Sequence, residues 1–179
     1  MDVASHALVG VAIGLIEKNR TKKTILKTSF FSFLPDIFQL PYYLAVGNSK
    51  NRSFNWPQPE DWTGFRGTHP FLDTLWNVPH SIFFLLLVII PIIKLSKQSN
   101  FLIIAYLSHI LIDIPTHTGE WGVKFLFPFN LTVSGFTDAW AWSLNALIIS
   151  WAVLFILSFC IYRFYSKTRK QNENADLND

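Results

Sequence analysis

Residues Ala139 to Tyr162 read AWAWSLNALIISWAVLFILSFCIY, an uncharged run that stops at Arg163. About 20 consecutive apolar residues are enough for a helix to cross the hydrocarbon core of a bilayer. Trp140 and Trp142 gather at one end, where indole rings anchor a helix at the membrane–water interface. The run reads as a transmembrane helix, and it sets the class of the whole chain.

Four further apolar segments precede it. Thr74 to Ile93 carries no formal charge and includes the unbroken apolar stretch Phe83 to Ile90. Gln98 to Thr118 carries only Asp113, and Thr28 to Val46 is interrupted only by Asp36. Val3 to Ile16 is apolar but short for a full span. The expected fold class is all-α, a polytopic transmembrane helix bundle of about four to five membrane helices. One membrane-embedded domain is expected over residues 1–165, with a polar cytoplasmic tail at 166–179. Within that tail, Lys170 to Asp176 is polar and is expected to be disordered. No internal repeat is visible.

Composition agrees with this reading. The 179 residues suit one domain, and only 15% are charged, against about 25% in a soluble domain. The net charge of +3 accompanies no nucleic-acid recognition motif, so no nucleic-acid partner is expected. The lone Cys160 excludes an internal disulfide. The start, Met1 to His6, lacks the basic region of a signal peptide, so the first apolar segment is expected to stay in the mature protein.

Lys and Arg orient the segments, because cytoplasmic loops retain them. Lys18, Arg20, Lys22, Lys23, Lys27, Lys94, Lys97, Arg163, Lys167, Arg169 and Lys170 fall on one side if the five segments alternate. The other side keeps Lys50, Arg52, Arg66 and Lys124. This predicts an outer N-terminus, a cytoplasmic tail and two outer loops, 47–73 and 119–138.

On that topology the chemistry converges. His6, Asp36, His80, His109, Asp113 and His117 come from four segments and all fall toward the outer side. His109 and Asp113 are four apart, on one helical face, as two ligands of one site require. His6 shares a face with Gly10 and Gly14, a small-residue pattern that lets helices approach closely and turns His6 into the bundle. Pro35 disfavours an unbroken helix at Asp36, and broken backbone at membrane depth is tolerated where protein or a wet cavity covers it. Intramembrane carboxylates are costly and point to function. The plain alternatives are an interfacial His6, a hydrogen-bonded His109–Asp113 pair, a loop residue at His69 and packing tryptophans. Histidine nitrogen with aspartate oxygen and no cysteine suits zinc, manganese or iron. One catalytic ion takes about three protein ligands, so six candidates allow one ion or two.

The pieces Ser5-His6-Ala7-Leu8-Val9-Gly10, Leu34-Pro35-Asp36-Ile37, His80-Ser81, and Ser108-His109-Ile110-Leu111-Ile112-Asp113 occur in order, followed by Thr116, Gly119 and Phe127-Pro128. Over residues 1 to about 130 the chain resembles the membrane-bound, metal-dependent hydrolases, a group that includes inner-membrane proteins described as LexA-binding. That group is similar in motif order to zinc-dependent phospholipase C. Two positions depart from its pattern. Phe38 stands where a second acidic residue often follows the Pro-Asp aspartate, and Leu75 with Asn77 to Ser81 stands where an Arg-Gly-x-Thr-His-Ser run with a preceding histidine is common. Arg66-Gly67-Thr68-His69 lies nearby.

The resemblance implies a bacterial inner-membrane hydrolase of a phosphoester or lipid-like substrate, with membrane lipid as its surroundings. His6, Asp36, His80, His109, Asp113 and His117 would bind a divalent metal, zinc above manganese or iron. Asp36 and Asp113 are the candidate catalytic residues. The competing expectations are a transporter using the same His/Asp cluster, or an inactive membrane partner protein.

Overall fold

The computed structural model describes residues 1–18, 20–50 and 68–176, with side chains left aside at 42, 120 and 169–176. Arg66 and Gly67 fall outside the described residues, as do Arg52 and most of the expected loop 47–73. Among the described residues the fold is helical and contains no strand; one antiparallel bridge pairs Val123 with Val133.

The helices are α1 (Val3–Ile16), α2 (Lys22–Ile37), α3 (Leu40–Ser49), α4 (Pro70–Asn77), α5 (Ile82–Leu95), α6 (Phe101–Thr116) and α7 (Leu144–Asp176). Side chains define several starts. The Asp2 carboxylate accepts from Ser5 N at 3.0 Å, and Thr21 Oγ1 accepts from Thr24 N at 3.1 Å. Each satisfies a donor that the first helical turn leaves without a partner.

Prolines decide where the apolar runs are cut. The run expected as one helix over Thr74–Ile93 is two, α4 and α5, bent by 60° around Val78–Ser81, where Pro79 removes a backbone donor. Ser81 restarts the helix by accepting from Phe83 N. Leu85–Ile89 widens into a π-turn just before Pro91, which relieves the crowding of the proline ring against the preceding turn. Helix α2 carries through Pro35 and ends at Ile37, so the break expected at Asp36 falls at Phe38–Gln39. Among the described residues, Leu144–Thr168 alone is one helix long and apolar enough to cross a membrane, and α4 with α5 can do so as a bent pair. Helices α1 and α6 are apolar but shorter, at 14 and 16 residues. The tail also differs from expectation, since α7 continues as helix through Asp176.

Close packing sets the centre of the bundle. Helix α1 lies against α2 and α7, and α2 lies against α6. A Cβ at Gly10 would meet Thr28 O at 2.5 Å and Ser29 Cα at 2.6 Å, so only glycine allows α1 this near to α2. Ser29 Oγ ties the pair by donating to Ala7 O at 3.1 Å. An apolar cluster of Leu85, Ile89, Ile93, Leu102, Tyr106 and Ile110 joins α5 to α6 on the side of Lys94 and Lys97. The loop after α6 folds back at the other end: Ile82 N donates to Phe125 O at 2.8 Å and Ser81 Oγ to Phe127 O at 2.7 Å.

Candidate metal centre

Five faces, ends and breaks of the helices aim polar groups at one point. Close approach at Gly10 buries the face of α1 that carries His6, which is fully enclosed. Asp36 sits in the last turn of α2, His80 in the break between α4 and α5, and His117 immediately after α6. His109 and Asp113 project together from α6.

Asp113 is the hub. Its Oδ1 lies 3.0 Å from His6 Nε2 and 3.6 Å from His117 Nδ1, and it also accepts from the Met1 amino group. Its Oδ2 lies 3.0 Å from His109 Nε2 and 3.5 Å from His80 Nε2. Asp36 joins through Oδ1, 3.7 Å from His109 Nε2. The imidazoles of His6 and His109 stack at 3.8 Å. All six residues expected from the sequence meet here. His69 does not: it is exposed at the start of α4.

Backbone carbonyls fix the imidazole tautomers. His80 Nδ1 donates to Trp76 O at 2.7 Å, and His109 Nδ1 donates to Ser32 O at 2.8 Å. A carbonyl only accepts, so each Nδ1 carries the proton and each neutral ring presents a lone pair at Nε2. Those two lone pairs face one another at 3.0 Å. Two lone pairs at that distance are reconciled by a metal ion beside them or by a proton on one of the rings. The same Nδ1-to-carbonyl arrangement orients metal-ligating histidines generally. His117 Nδ1 donates to Asp113 O at 3.1 Å.

Within this cluster three buried atoms have no hydrogen-bond partner among the described residues: His6 Nδ1, Asp36 Oδ2 and Gln39 Oε1. Buried polar atoms are rarely left so. Ligand atoms of His6, His109 and Asp113 lie within 4.8 Å of one another, as do those of Asp36, His80 and His109. The donor set therefore fits a divalent cation. The two triads share His109, whose single Nε2 serves one ion. Asp113, with an oxygen toward each triad, is the residue able to bridge two.

Gln39 is the member that sequence reasoning missed. It is buried, and its Nε2 donates to Asp36 Oδ1 at 3.0 Å and approaches His80 Nε2 at 3.3 Å. The neighbouring Phe38, where an acidic residue was sought, is exposed and packs edge-on against Phe84. The available signal was Pro35 and Pro41 bracketing a polar amide in an apolar run. A helix broken there turns position 39, not 38, inward.

An aromatic wall closes one side. Trp76 stacks on His80 at 5.3 Å with planes 10° apart, and meets Trp121 at 4.9 Å.

A protein-family model described as YdjM inner membrane protein matches residues 1–176. The chain belongs to that family. Membrane association thus stands on the family as well as on α7. No curated protein and no solved structure matches the chain.

Proposed function

We propose that this protein is a multi-pass inner-membrane hydrolase with a divalent-metal centre at His6, Asp36, His80, His109 and Asp113, with His117 at its edge. The observation that carries the reading is the pair of imidazoles facing each other through Nε2 at 3.0 Å, both Nδ1 protons committed to carbonyls. Zinc suits these ligands best, with manganese or iron as alternatives and room for one ion or two. When bound, such an ion supplies Lewis acidity and lowers the pKa of water.

The chain's own groups supply the rest. Asp36 Oδ2, free of hydrogen bonds among the described residues, is placed to take the proton of an attacking water. Gln39 holds Asp36 through Oδ1 and leaves Oδ2 available. Trp76 and Trp121 exclude bulk water from the His80 side. A phosphoester or similar bond in a lipid-like molecule is the favoured target, because a centre near bilayer depth is reached most easily from the membrane.

A transport pathway finds less support. Among the described residues every buried histidine and aspartate belongs to this one cluster, and the neighbouring α5–α6 interface is apolar. Topology completes the proposal: basic connections and the C-terminus lie in the cytoplasm, and the metal centre faces outward.

Hydrolysis of bis-p-nitrophenyl phosphate by the purified, zinc-loaded protein tests the activity. Asp36→Asn is expected to lower the rate by about 100-fold, the lower range for a lost general base. An unchanged rate in that variant would remove Asp36 from the chemistry. No turnover by the parent, with this and with lipid phosphodiesters, would remove the hydrolase reading.

A further inference from the structure

Beside the polar cluster lies a cavity of about 380 Å³ whose walls are almost wholly apolar. Phe33 and Ile37 of α2, Leu40 and Tyr43 of α3, Trp140 and the N-terminal Met1 to Val3 line it. Asp36 and Met1 link it to the cluster, Asp36 through the Oδ1 that lies 3.7 Å from His109 Nε2 and Met1 through the bond of its amino group to Asp113. Phe38 and Gln39, both with helical backbone angles, join α2 to α3 beside Asp36.

The other end faces outward from the bundle. Ile37 and Leu40 are apolar and 41% and 50% exposed, on helices that the proposed topology places in the membrane. Lipid is the medium such side chains meet. A cavity open to hydrocarbon and ending at a buried carboxylate is amphipathic along its length. Its size is near the lower end of ligand sites, roughly 300–1,000 Å³. It holds one hydrocarbon chain, not the pair of a diacyl lipid.

We infer that this cavity binds the tail of a single-chain amphiphile, entering from the bilayer past the exposed Ile37 and Leu40, so that its phosphate headgroup reaches the His/Asp cluster. This rests on the proposal that the cluster holds a divalent cation, the group that a phosphate headgroup would meet there. It deepens that proposal by naming the substrate class: a phosphoester with one alkyl or prenyl chain. Tail length is then read by Phe33, Leu40 and Trp140, and the headgroup by the cluster.

Photolabelling tests it without relying on turnover. The full-length protein, zinc-loaded in nanodiscs, is exposed to dodecyl phosphate carrying a diazirine on its chain, and labelled residues are mapped by mass spectrometry. Label is expected on Phe33 and Ile37 above Phe155, a lipid-facing control on α7. Leu40→Trp fills the cavity from an exposed position that folding tolerates. It should lower label on Phe33 and Ile37 about fivefold relative to Phe155, an effect of about 1 kcal/mol on binding. Tyr43→Ala, which enlarges the cavity, serves as a second variant and should retain the label. Label spread evenly over lipid-facing residues, or unchanged by Leu40→Trp, overturns the tail site. The two readings fail separately. Localised label blocked by Leu40→Trp, in a protein that hydrolyses no phosphodiester, leaves the tail site standing and removes the hydrolase. Turnover with diffuse label does the reverse.

Discussion

Gln39 shows how a single amide holds this site together. It is buried between a carboxylate and an imidazole, and donates to Asp36 Oδ1 at 3.0 Å. Replacing it by leucine keeps the volume but removes the donor, leaving Asp36 free to turn. Outer-shell partners of this kind are worth roughly 10–100-fold in metal affinity. Gln39→Leu is therefore expected to bind zinc about tenfold more weakly or worse in competition with a chromogenic chelator; unchanged affinity would make Gln39 a packing residue. At this scale the site was largely legible. His109 and Asp113 follow from i,i+4 spacing on one helix, and the others from topology set by Lys and Arg. Gln39 was not, because its inward direction depends on where α2 breaks, and Pro35 sits inside the helix rather than ending it.

Among the elements, the contact of α1 with α2 positions His6. Gly10 lets the backbones meet, and any side chain there collides with Thr28, Ser29 and Ser32. Gly10→Leu is expected to push α1 away and destabilise the protein by about 1–3 kcal/mol, the usual range for overpacking. A lowered melting temperature together with lost zinc is the expected signature; a stable variant that keeps its ion would detach His6 from this contact. The helices themselves were readable from apolar runs, but their breaks were not. Summed apolarity over Thr74–Ile93 is blind to the 60° bend at Pro79. The tail misled in the opposite direction. Lys, Arg, Gln and Glu are good helix formers, and extending α7 past Arg163 costs far less than nucleating a new helix.

For the molecule as a whole, membrane topology decides which compartment the centre serves. Eleven of the fifteen Lys and Arg residues fall on one side under the proposed topology, in which the five apolar segments alternate. A reporter fused after Lys170 should be active only in its cytoplasmic form; activity confined to the periplasmic form would place the centre on the cytoplasmic face. Helices α1 and α6, short of a full span, both pack against α2, and α1 also packs against α7. The central claim is that two carboxylates and four imidazoles are buried together to hold a cation. A buried charge without a partner is strongly unfavourable. The most direct test is elemental analysis and a melting curve on detergent-purified parent, His109→Ala and Asp113→Ala. The account predicts one or two zinc, manganese or iron ions per parent chain, loss of the ion in both variants, and variants that still insert and purify. A parent free of metal even after incubation with zinc, with both variants destabilised by about 1–3 kcal/mol as for a broken buried hydrogen bond, would contradict it.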